Sequence, residues 1–188
     1  MTAASRDHID RSEVVVLDDA AVPVGTADKL AAHRPPGTPH LAFSVVLIDR
    51  QGRVLLQRRA SSKHHFRRRW SNACCSHPRP GERIAAAARR RTAEELGTAV
   101  DEVTVLGAFW YRASDAATNL VEHEYDVVVS ARAHAALRPD PTEVEEVAWV
   151  SLGEAAGIAQ TADASPWLAN VLEVVAAPTH AVAPAIRL

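Results

Sequence analysis

A helix signal between two sets of strand signals is the strongest constraint on the fold of this chain. Residues 82–96 have helical composition, Pro80 and Gly81 precede them, and Gly97 follows them. Proline and glycine in those places are typical of the start and the end of a helix. β-rich runs lie on both sides. Strands and helices mixed in this way predict an α/β or α+β protein in which helices cover a mixed β-sheet.

The remaining local signals predict further strands and short helices. The predicted strands are 14–17, 41–48, 53–57, 103–110, 121–130 and 144–150, and the predicted short helices are 28–32, 152–158 and 167–175. A turn is expected around Pro23 and Gly25, and a polar loop is expected at 113–119. The turn sequence DRQG at 49–52 predicts that the second and third strands form a hairpin.

Length and composition favour one domain. The chain has 188 residues, 47% of them hydrophobic, and a formal net charge of −2, which suits one buried core and not two. We expect a flexible N-terminus at 1–13, a single domain at 14–175 and a loose tail at 176–188. No apolar run approaches the roughly 20 residues of a membrane helix, and no signal-like core follows the start. A cytoplasmic protein without a membrane segment is expected.

The segment 72–78, with the sequence NACCSHP, carries two adjacent cysteines and a histidine shortly before the predicted helix. Cys74 and Cys75 cannot supply a disulfide framework, because neighbouring Cβ atoms on an extended strand point to opposite faces. At most one of the two thiols therefore faces a given pocket. A thiol, the imidazole of His77 and the carboxylates at the end of the helix, all within one short stretch, indicate an enzyme.

Positive charge is supplied almost entirely by arginine. Of 21 basic residues only Lys29 and Lys63 are lysines. A lysine kept against this bias is a candidate for a compact charge that binds phosphate, although two lysines can also remain by chance. The basic run at 64–70 is compatible with nucleic-acid phosphate contacts. The slightly acidic chain and the lack of a recognised nucleic-acid fold argue against that function.

Residues 76–98 resemble the Nudix box, a loop-helix-loop that binds a diphosphate through a divalent cation. The residues in register with it are Glu82, Arg90, Glu94, Glu95 and Gly97. The chain departs from the hydrolytic form of the box at Ser76, where that box has glycine, and at Arg91, where it has a carboxylate. The guanidinium of Arg91 disfavours pyrophosphate hydrolysis, and it makes Glu82 and Glu94 weaker metal candidates.

Further motifs along the chain are similar to those of type 1 isopentenyl-diphosphate isomerases. They are KLAAH at 29–33, HLAFS at 40–44, RRASSK at 58–63, WSNACCSHP at 70–78, YRA at 111–113, EHE at 122–124 and SPW at 165–167. Seven motifs in the same order are far more specific than the Nudix box alone. The resemblance implies a Nudix-type mixed sheet with flanking helices. It also implies an enzyme that interconverts isopentenyl and dimethylallyl diphosphate with metal ions and without flavin.

The resemblance selects three of the nine histidines and two glutamates as a metal site. The set is His33, His40, His77, Glu122 and Glu124. Glu122 and Glu124 are two apart on a predicted strand, so both carboxylates lie on one face. Three imidazoles and two carboxylates suit Mn²⁺ or Mg²⁺, with Zn²⁺ as a competitor. The other histidines, among them His65 and His123, are expected to have surface or supporting roles, and His123 should point away from its two neighbours.

The diphosphate contacts are also implied by the resemblance. It places a Mg²⁺ that bridges to the phosphates on Glu95, although Glu95 can instead form a helix ion pair with Arg91, four residues earlier. The basic residues that match the phosphate contacts of the family are Lys29, Arg59, Lys63 and Arg91. Arginine can hold phosphate oxygens in a bidentate fork, which suits this role.

The double-bond shift requires two proton carriers, because one proton is added and another is removed through a tertiary carbocation. The resemblance assigns these carriers to Cys75 and Glu124, so that Glu124 is both metal ligand and acid. Tyr111 is expected to hydrogen-bond to Glu124 and help proton delivery. Trp167 offers a π face to the cation, although a core tryptophan is the alternative. Cys74, on the opposite side of its strand, is expected in the core.

The sequence thus predicts an isopentenyl-diphosphate isomerase that acts on a small-molecule diphosphate. It predicts a monomer or weak homo-oligomer that binds neither nucleic acid nor membrane. A Nudix pyrophosphohydrolase acting on a nucleoside or prenyl diphosphate is the alternative enzyme, and it would release phosphate. A non-catalytic metal-binding module is a third possibility, which predicts metal uptake without turnover of any diphosphate.

Overall fold

A computed structural model describes residues 13–188 and has a mixed α+β fold built on two β-sheets. Its elements are β1 (Glu13–Leu17), β2 (Pro23–Asp28), α1 (Lys29–Ala32), β3 (His40–Leu47), β4 (Val54–Arg59), β5 (Trp70–Asn72), β6 (Cys74–Ser76), α2 (Ile84–Leu96), β7 (Val100–Asp115), β8 (Leu120–Ala133), β9 (Val144–Val150), α3 (Leu152–Ala159) and α4 (Leu168–Ala176). The expected fold class is confirmed. None of the described helices is long and apolar enough to cross a membrane.

The larger sheet is organised around β3. Its strand order is β2-β1-β3-β8-β7, and β6 also pairs with β3. β3 runs parallel to β8 and antiparallel to β6. All eight residues of β3 are buried, as expected of a central strand that is covered on both faces. The sheet therefore brings β6 and β8 to the two edges of one fully buried strand.

The smaller sheet, of order β5-β4-β9, corrects the predicted hairpin. The turn at 49–52 does form, and the Asp49 carboxylate accepts the backbone N–H groups of Gln51 and Arg53. Beyond it β3 and β4 share only the isolated bridge between Ile48 and Val54. The reason is that both strands have longer pairings elsewhere, β3 with β8 and β4 with β9, so the chain crosses from one sheet to the other.

The turn predicted around Pro23 and Gly25 is also wrong, since both residues lie in β2. The reversal comes earlier, between β1 and β2, where the Asp18 carboxylate accepts the backbone N–H groups of Ala20 and Val22. A single aspartate that accepts two backbone donors fixes a tight turn without glycine or proline. The predicted loop at 113–119 is shortened by longer strands, because β7 continues to residue 115 and β8 begins at residue 120.

Helix α2 packs its small and apolar face into the core. Ile84, Ala87, Ala88 and Leu96 are fully buried, and the helix ends where Gly97 adopts a left-handed conformation with φ 61°. This end corresponds to the glycine C-cap that the sequence predicts. The close contact with the core fixes the direction in which the last turn of α2 presents its charged side chains.

The C-terminal residues lie against the core, which departs from the loose tail predicted at 176–188. Ile186 is buried with the main apolar cluster, the Ile84 backbone N–H donates to the Arg187 carbonyl, and the Ala183 N–H donates to the Tyr125 hydroxyl. One isoleucine in an Ala- and Pro-rich stretch is a weak sequence signal for such packing. The flexible N-terminus predicted at 1–13 lies outside the described residues, except for its last residue, which begins β1.

We predict that Gly97→Ala lowers the free energy of unfolding by about 1–3 kcal/mol, the usual effect of a strained left-handed residue. A Cβ at Gly97 would lie 2.4 Å from the backbone oxygen of Arg138, so the backbone itself would have to shift. The matched control is Gly153→Ala in α3, where a new Cβ meets nothing within 4 Å. Urea unfolding should show a lower midpoint for the first variant only. Equal midpoints would contradict the role given to Gly97.

Candidate active site

A cavity of about 610 Å³ contains most of the predicted site residues. The predicted residues that line it are Lys29, His33, Arg59, Lys63, Cys75, His77, Arg91, Tyr111, Glu122, Glu124 and Trp167. His40 and Glu95 do not line it and are buried beside the residues that do. Strands of both sheets contribute to the walls. The structure therefore brings together residues that the sequence separates by up to 138 positions.

The five predicted metal ligands form one compact cluster. Each offers one donor atom, and these atoms all lie within 4.8 Å of one another. The Glu124 Oε1 atom lies 2.7 Å from His77 Nε2 and 3.3 Å from His40 Nε2. Glu122 Oε2 lies 3.0 Å from His33 Nε2. The arrangement follows from the sheet, because parallel pairing sets His40 beside Glu124 and the pleat puts Glu122 on the same face.

The donor atoms fit a divalent cation. The Nδ1 atoms of His33 and His40 lie 2.6 and 2.7 Å from the backbone carbonyls of Lys29 and Thr38. Such a contact holds the proton on Nδ1 and turns the Nε2 lone pair of a neutral ring toward the cluster, as in many metal-ligating histidines. The Nε2 atoms of His40 and His77 are only 3.1 Å apart. Such a close approach of two imidazole nitrogens is expected where a cation lies between them.

Burial strongly affects the pKa values of the residues in the cluster. Burial lowers the pKa of His77 to about 3, which keeps this ring neutral. Burial also opposes protonation of His33, but the hydrogen bond to Glu122 and the negative charges of Glu122 and Glu124 together outweigh it and raise the pKa of His33 to about 9. Burial alone would raise the pKa of Glu122, yet the adjacent His65 and His33 hold it well below its usual range. Without a cation, a proton on His33 thus offsets the ionised Glu122.

The thiol of Cys75 lies in a pocket of hydrogen-bonding groups, whereas Cys74 is fully buried in the core. This alternation on β6 is the one that the sequence predicts. The Cys75 thiol donates to Asn72 Oδ1 at 2.9 Å, and the Trp167 indole N–H donates to the sulfur at 3.1 Å. Burial raises the pKa of Cys75 to about 12. The thiol therefore keeps its proton at neutral pH in the protein without substrate.

Tyr111 and Glu124 form a second polar pair in the same cavity. They lie opposite each other on β7 and β8, and the Tyr111 hydroxyl donates to Glu124 Oε2 at 2.5 Å. Burial raises the pKa of Tyr111 well above its ordinary value. Cys75 and Glu124 belong to strands on either edge of β3. The two groups that can carry protons thus line one cavity, on strands at the two edges of β3.

Trp167 contacts both the residues that can carry protons and the basic end of the cavity. Its ring centroid lies 5.9 Å from that of Tyr111 and 5.4 Å from that of Phe66. The guanidinium carbon of Arg59 lies 5.4 Å from the centroid of the Trp167 ring, within the range of a cation–π interaction. The ring is only 2% exposed. It is therefore both a packing residue and an aromatic wall that already contacts one cation.

The predicted phosphate-binding cations are engaged by protein groups. Arg59 donates to the backbone carbonyls of His65 and Phe66. Arg91 Nη2 lies 2.5 Å from Glu95 Oε1, which is the ion pair that the sequence leaves open as an alternative for Glu95. Lys63 Nζ lies 2.5 Å from a carboxylate oxygen of Glu143. A phosphate that binds here must compete with these partners.

Three residues make contacts at the site that the sequence did not specify. His65 Nε2 contacts Glu122 Oε1, which gives this histidine a supporting role beside the metal cluster. The Ser44 hydroxyl donates to Asp126 Oδ2 at 2.7 Å, and the Ser44 oxygen lies 3.4 Å from the Cys75 sulfur. Burial raises the pKa of Asp126 to about 8. His65 lies two residues after Lys63, Asp126 lies two residues after Glu124, and Ser44 belongs to the motif at 40–44. None of these positions specifies a contact.

His123 points away from the metal cluster, as the alternation of side chains along β8 predicts. Its Nδ1 lies 3.1 Å from the Gly37 carbonyl, and its ring centroid lies 6.0 Å from that of Trp110. His123 therefore shares a strand with two cluster residues without sharing their face. This makes it a suitable reference residue for substitutions in the cluster.

Comparison with known proteins agrees with the fold and the motifs. A sequence profile of the NUDIX domain matches residues 38–174. The chain therefore belongs to a Nudix class of protein. A solved structure from Deinococcus radiodurans superposes with a TM-score of 0.69 at 21% identity, covering 86% of this chain and 98% of that one. A MutT NUDIX hydrolase from Burkholderia pseudomallei has a TM-score of 0.57 at 24% identity, covering 73% and 98%. These identities show the fold alone.

Relatives at higher identity define the family more narrowly. The isopentenyl-diphosphate Delta-isomerase of Nocardia farcinica is 48% identical over 163 residues, which are 86% of this chain and 93% of the relative. The protein of the same name from Streptomyces griseus is 46% identical over an alignment of 189 positions, which covers 99% of this chain and 92% of the relative. The chain belongs to the isopentenyl-diphosphate Delta-isomerase family of the Nudix superfamily. The resemblance inferred from the seven motifs is confirmed.

We predict that binding of Mn²⁺ releases about one proton near neutral pH, because a cation replaces the proton that His33 holds with a pKa of about 9. The apparent affinity should then rise by up to roughly tenfold per pH unit between neutral pH and about 9, and level off above it. Calorimetry in buffers of different ionisation enthalpy measures both quantities.

His33→Ala, His40→Ala and His77→Ala should each bind less Mn²⁺ than the unaltered protein. The control is His123→Ala, which removes a histidine from the opposite face of the strand that carries Glu122 and Glu124. It should keep full metal occupancy. Undiminished occupancy in the three cluster variants, measured by elemental analysis, would rule out this metal site.

Proposed function

We propose that the protein interconverts isopentenyl diphosphate and dimethylallyl diphosphate. The observation that carries the proposal is that Cys75 and the Tyr111–Glu124 pair, which can both carry protons, line the same cavity. An allylic double-bond shift requires both to act on one substrate. Relatives with 42–48% identity are named for this reaction. The chain is accordingly an enzyme whose substrate is a small-molecule diphosphate.

The reaction consists of two proton transfers, and each of the two proton carriers is assigned one of them. A proton is added to the terminal methylene carbon, the double-bond electrons form the new C–H bond, and a tertiary carbocation results. Loss of a proton from the neighbouring methylene group then forms the internal double bond. We assign the addition to Glu124, with the hydrogen bond from Tyr111 supplying its proton, and the removal to the sulfur of Cys75. The reverse reaction uses the same groups in the opposite order.

The removal step requires Cys75 as a thiolate, and the groups around the sulfur affect how readily the thiolate forms. Burial raises the pKa of Cys75 to about 12, so a thiolate must be formed within the closed site. The Trp167 indole N–H points at the sulfur at 3.1 Å, and the Ser71 hydroxyl oxygen lies 3.7 Å from it. Donors of this kind favour the charged form of a thiol. They also hold the sulfur in one position.

The cluster of three histidines and two glutamates is proposed to hold Mn²⁺, Mg²⁺ or Zn²⁺. A cation bound there supplies positive charge that stabilises the ionised Glu124 and adjusts its acidity. Within the chain, His40 and His77 fix the Oε1 atom of Glu124, which leaves Oε2 for Tyr111. This division of the two carboxylate oxygens lets one residue act as metal ligand and proton carrier.

The diphosphate is proposed to bind at the basic end, against Lys29, Arg59, Lys63 and Arg91, with a Mg²⁺ on Glu95. Glu95 is 1% exposed and pairs with Arg91, so substrate and cation must rearrange this ion pair. Pyrophosphate hydrolysis is not favoured, because the Arg91 guanidinium lies where the hydrolytic box has a carboxylate. A cytoplasmic location and a monomer or weak homo-oligomer stay predictions.

Incubation with isopentenyl diphosphate and Mg²⁺ in D₂O tests the proposal. We expect dimethylallyl diphosphate that carries deuterium in its new methyl group, because the added proton comes from a group that exchanges with solvent. Mass spectrometry and NMR locate the label. Release of inorganic phosphate without a labelled allylic product would instead identify a hydrolase, and metal uptake without any turnover would identify a binding module.

The two cysteines provide a matched pair within this experiment. Cys75→Ala should lower the rate by roughly 10²- to 10⁴-fold or more, since it removes a proton carrier. Cys74→Ala should leave most of the rate, because Cys74 is buried in the core and faces away from the cavity. Similar rates in the two variants would contradict the role of Cys75.

Substitution of Trp167 should separate stabilisation of the carbocation from packing. Trp167→Leu should lower kcat by roughly 30-fold, because a desolvated cation–π contact contributes about 2 kcal/mol. Trp167→Phe should keep part of the rate, since it retains a smaller π face although it loses the N–H donor to Cys75. The measurement is kcat and KM for variants whose circular dichroism is unchanged. If leucine supports the same kcat as phenylalanine, Trp167 is only a packing residue.

A further inference from the structure

Glu143 lies between the two cations at the basic end of the cavity. Its Oε2 is 2.5 Å from Lys63 Nζ, and its Oε1 is 3.4 Å from Arg91 Nη2. The carboxylate thus contacts Lys63 with one oxygen and Arg91 with the other. Burial alone would raise the pKa of Glu143, but Lys63 and Arg91 hold it below its ordinary value. The carboxylate is ionised and makes the bridging contacts expected of a bound phosphate group.

The backbone fixes Glu143 in this position. Its carbonyl accepts the N–H of Ala60 at 3.0 Å, and its N–H donates to the carbonyl of Asp140. The Asp140 carboxylate in turn accepts the N–H and the hydroxyl of Thr142. The Ser62 hydroxyl donates to the Thr142 carbonyl. The turn that presents Glu143 is therefore tied to the segment that carries Lys63, which favours a defined geometry over a chance surface contact.

The charges at the basic end of the cavity do not favour a diphosphate that binds without a divalent cation. Lys63 and Arg91 contact three carboxylates, which belong to Glu94, Glu95 and Glu143. The side chains of Glu143, Lys63 and Arg91 are partly shielded from water, with 18–26% of each exposed. Interactions between such groups are screened less than those at a fully exposed surface. A diphosphate that displaces Glu143 leaves this carboxylate beside several phosphate oxygens of the same charge.

We propose that Glu143 determines specificity by making diphosphate binding depend on a divalent cation. It occupies Lys63 and Arg91 in the protein without substrate, so that a metal-free anion must displace it. A diphosphate that arrives with Mg²⁺ brings the positive charge that balances the displaced carboxylate. This inference rests on the proposed function for the nature of the substrate, but it concerns binding and not the double-bond shift.

Binding of inorganic pyrophosphate to Glu143→Gln tests the proposal directly. Calorimetry is done in buffer without divalent cations and again with excess Mg²⁺. We expect the metal-free dissociation constant to fall by roughly tenfold in the variant, because two cations are released from a competing carboxylate. With Mg²⁺ the constant should change by less than about threefold. The dependence on Mg²⁺ is measured by the ratio of the metal-free dissociation constant to the constant with Mg²⁺. This ratio should therefore fall in the variant.

Glu145→Gln is the matched control, since it removes the same charge two residues further along the chain, in β9, where Glu145 pairs with Arg68. It should leave both pyrophosphate constants and their ratio unchanged. The proposal is overturned if Glu143→Gln weakens binding equally in both buffers, which would mean that Glu143 only holds Lys63 in place. It is also overturned if the ratio does not change, or if both variants change it equally.

The outcome is separable from that of the proposed reaction. Pyrophosphate binding requires no isomerisation, so its dependence on Mg²⁺ can be measured in a protein of any activity. A chain that binds pyrophosphate as expected but does not convert isopentenyl diphosphate refutes the proposed function alone. Conversely, labelled product in D₂O together with an unchanged ratio in Glu143→Gln refutes the role of Glu143 alone.

Discussion

The pairing of β3 with its two neighbours is the constraint on which the site depends. Along one edge, β3 runs parallel to β8 in a register that sets His40 beside Glu124. Along the other edge, β6 sets Cys75 beside Ser44. Because side chains at corresponding positions of neighbouring strands share a face, the metal cluster and the thiol meet at one cavity. A slip of one residue in β8 would turn Glu122 and Glu124 to the opposite face.

The two ends of the cavity are both balanced in charge by protein groups. At the metal end, buried carboxylates face histidines, and His33 carries the proton that a cation would displace. At the basic end, Lys63 and Arg91 face carboxylates. An unpaired buried charge is strongly unfavourable, so pairing is expected in the protein without ligands. Ligand binding at either end is therefore an exchange of partners, and its free energy is smaller than the new contacts alone suggest.

The sequence predicts those features that depend on local rules. The opposite orientation of Cys74 and Cys75 follows from the two-residue period of a strand, and so does the shared face of the EHE motif. The turn at 49–52 was also recognised, but its strands pair in different sheets. That outcome depends on partners far along the chain. The bridge from Lys63 to Glu143 spans 80 residues, and no motif marks the glutamate, so only the folded chain reveals it.

The metal cluster joins parts of the chain that are distant in sequence. Its ligands extend from His33, at the end of α1, to Glu124 in the middle of β8. In the unfolded chain, gathering all of them around one cation would close a long loop at a cost in conformational entropy, so the complete set of donors forms only with the fold. A ligand that binds only the native state also shifts the folding equilibrium by mass action. An ion bound there would therefore stabilise the larger sheet, and its proposed role at Glu124 would link catalytic competence to resistance against unfolding.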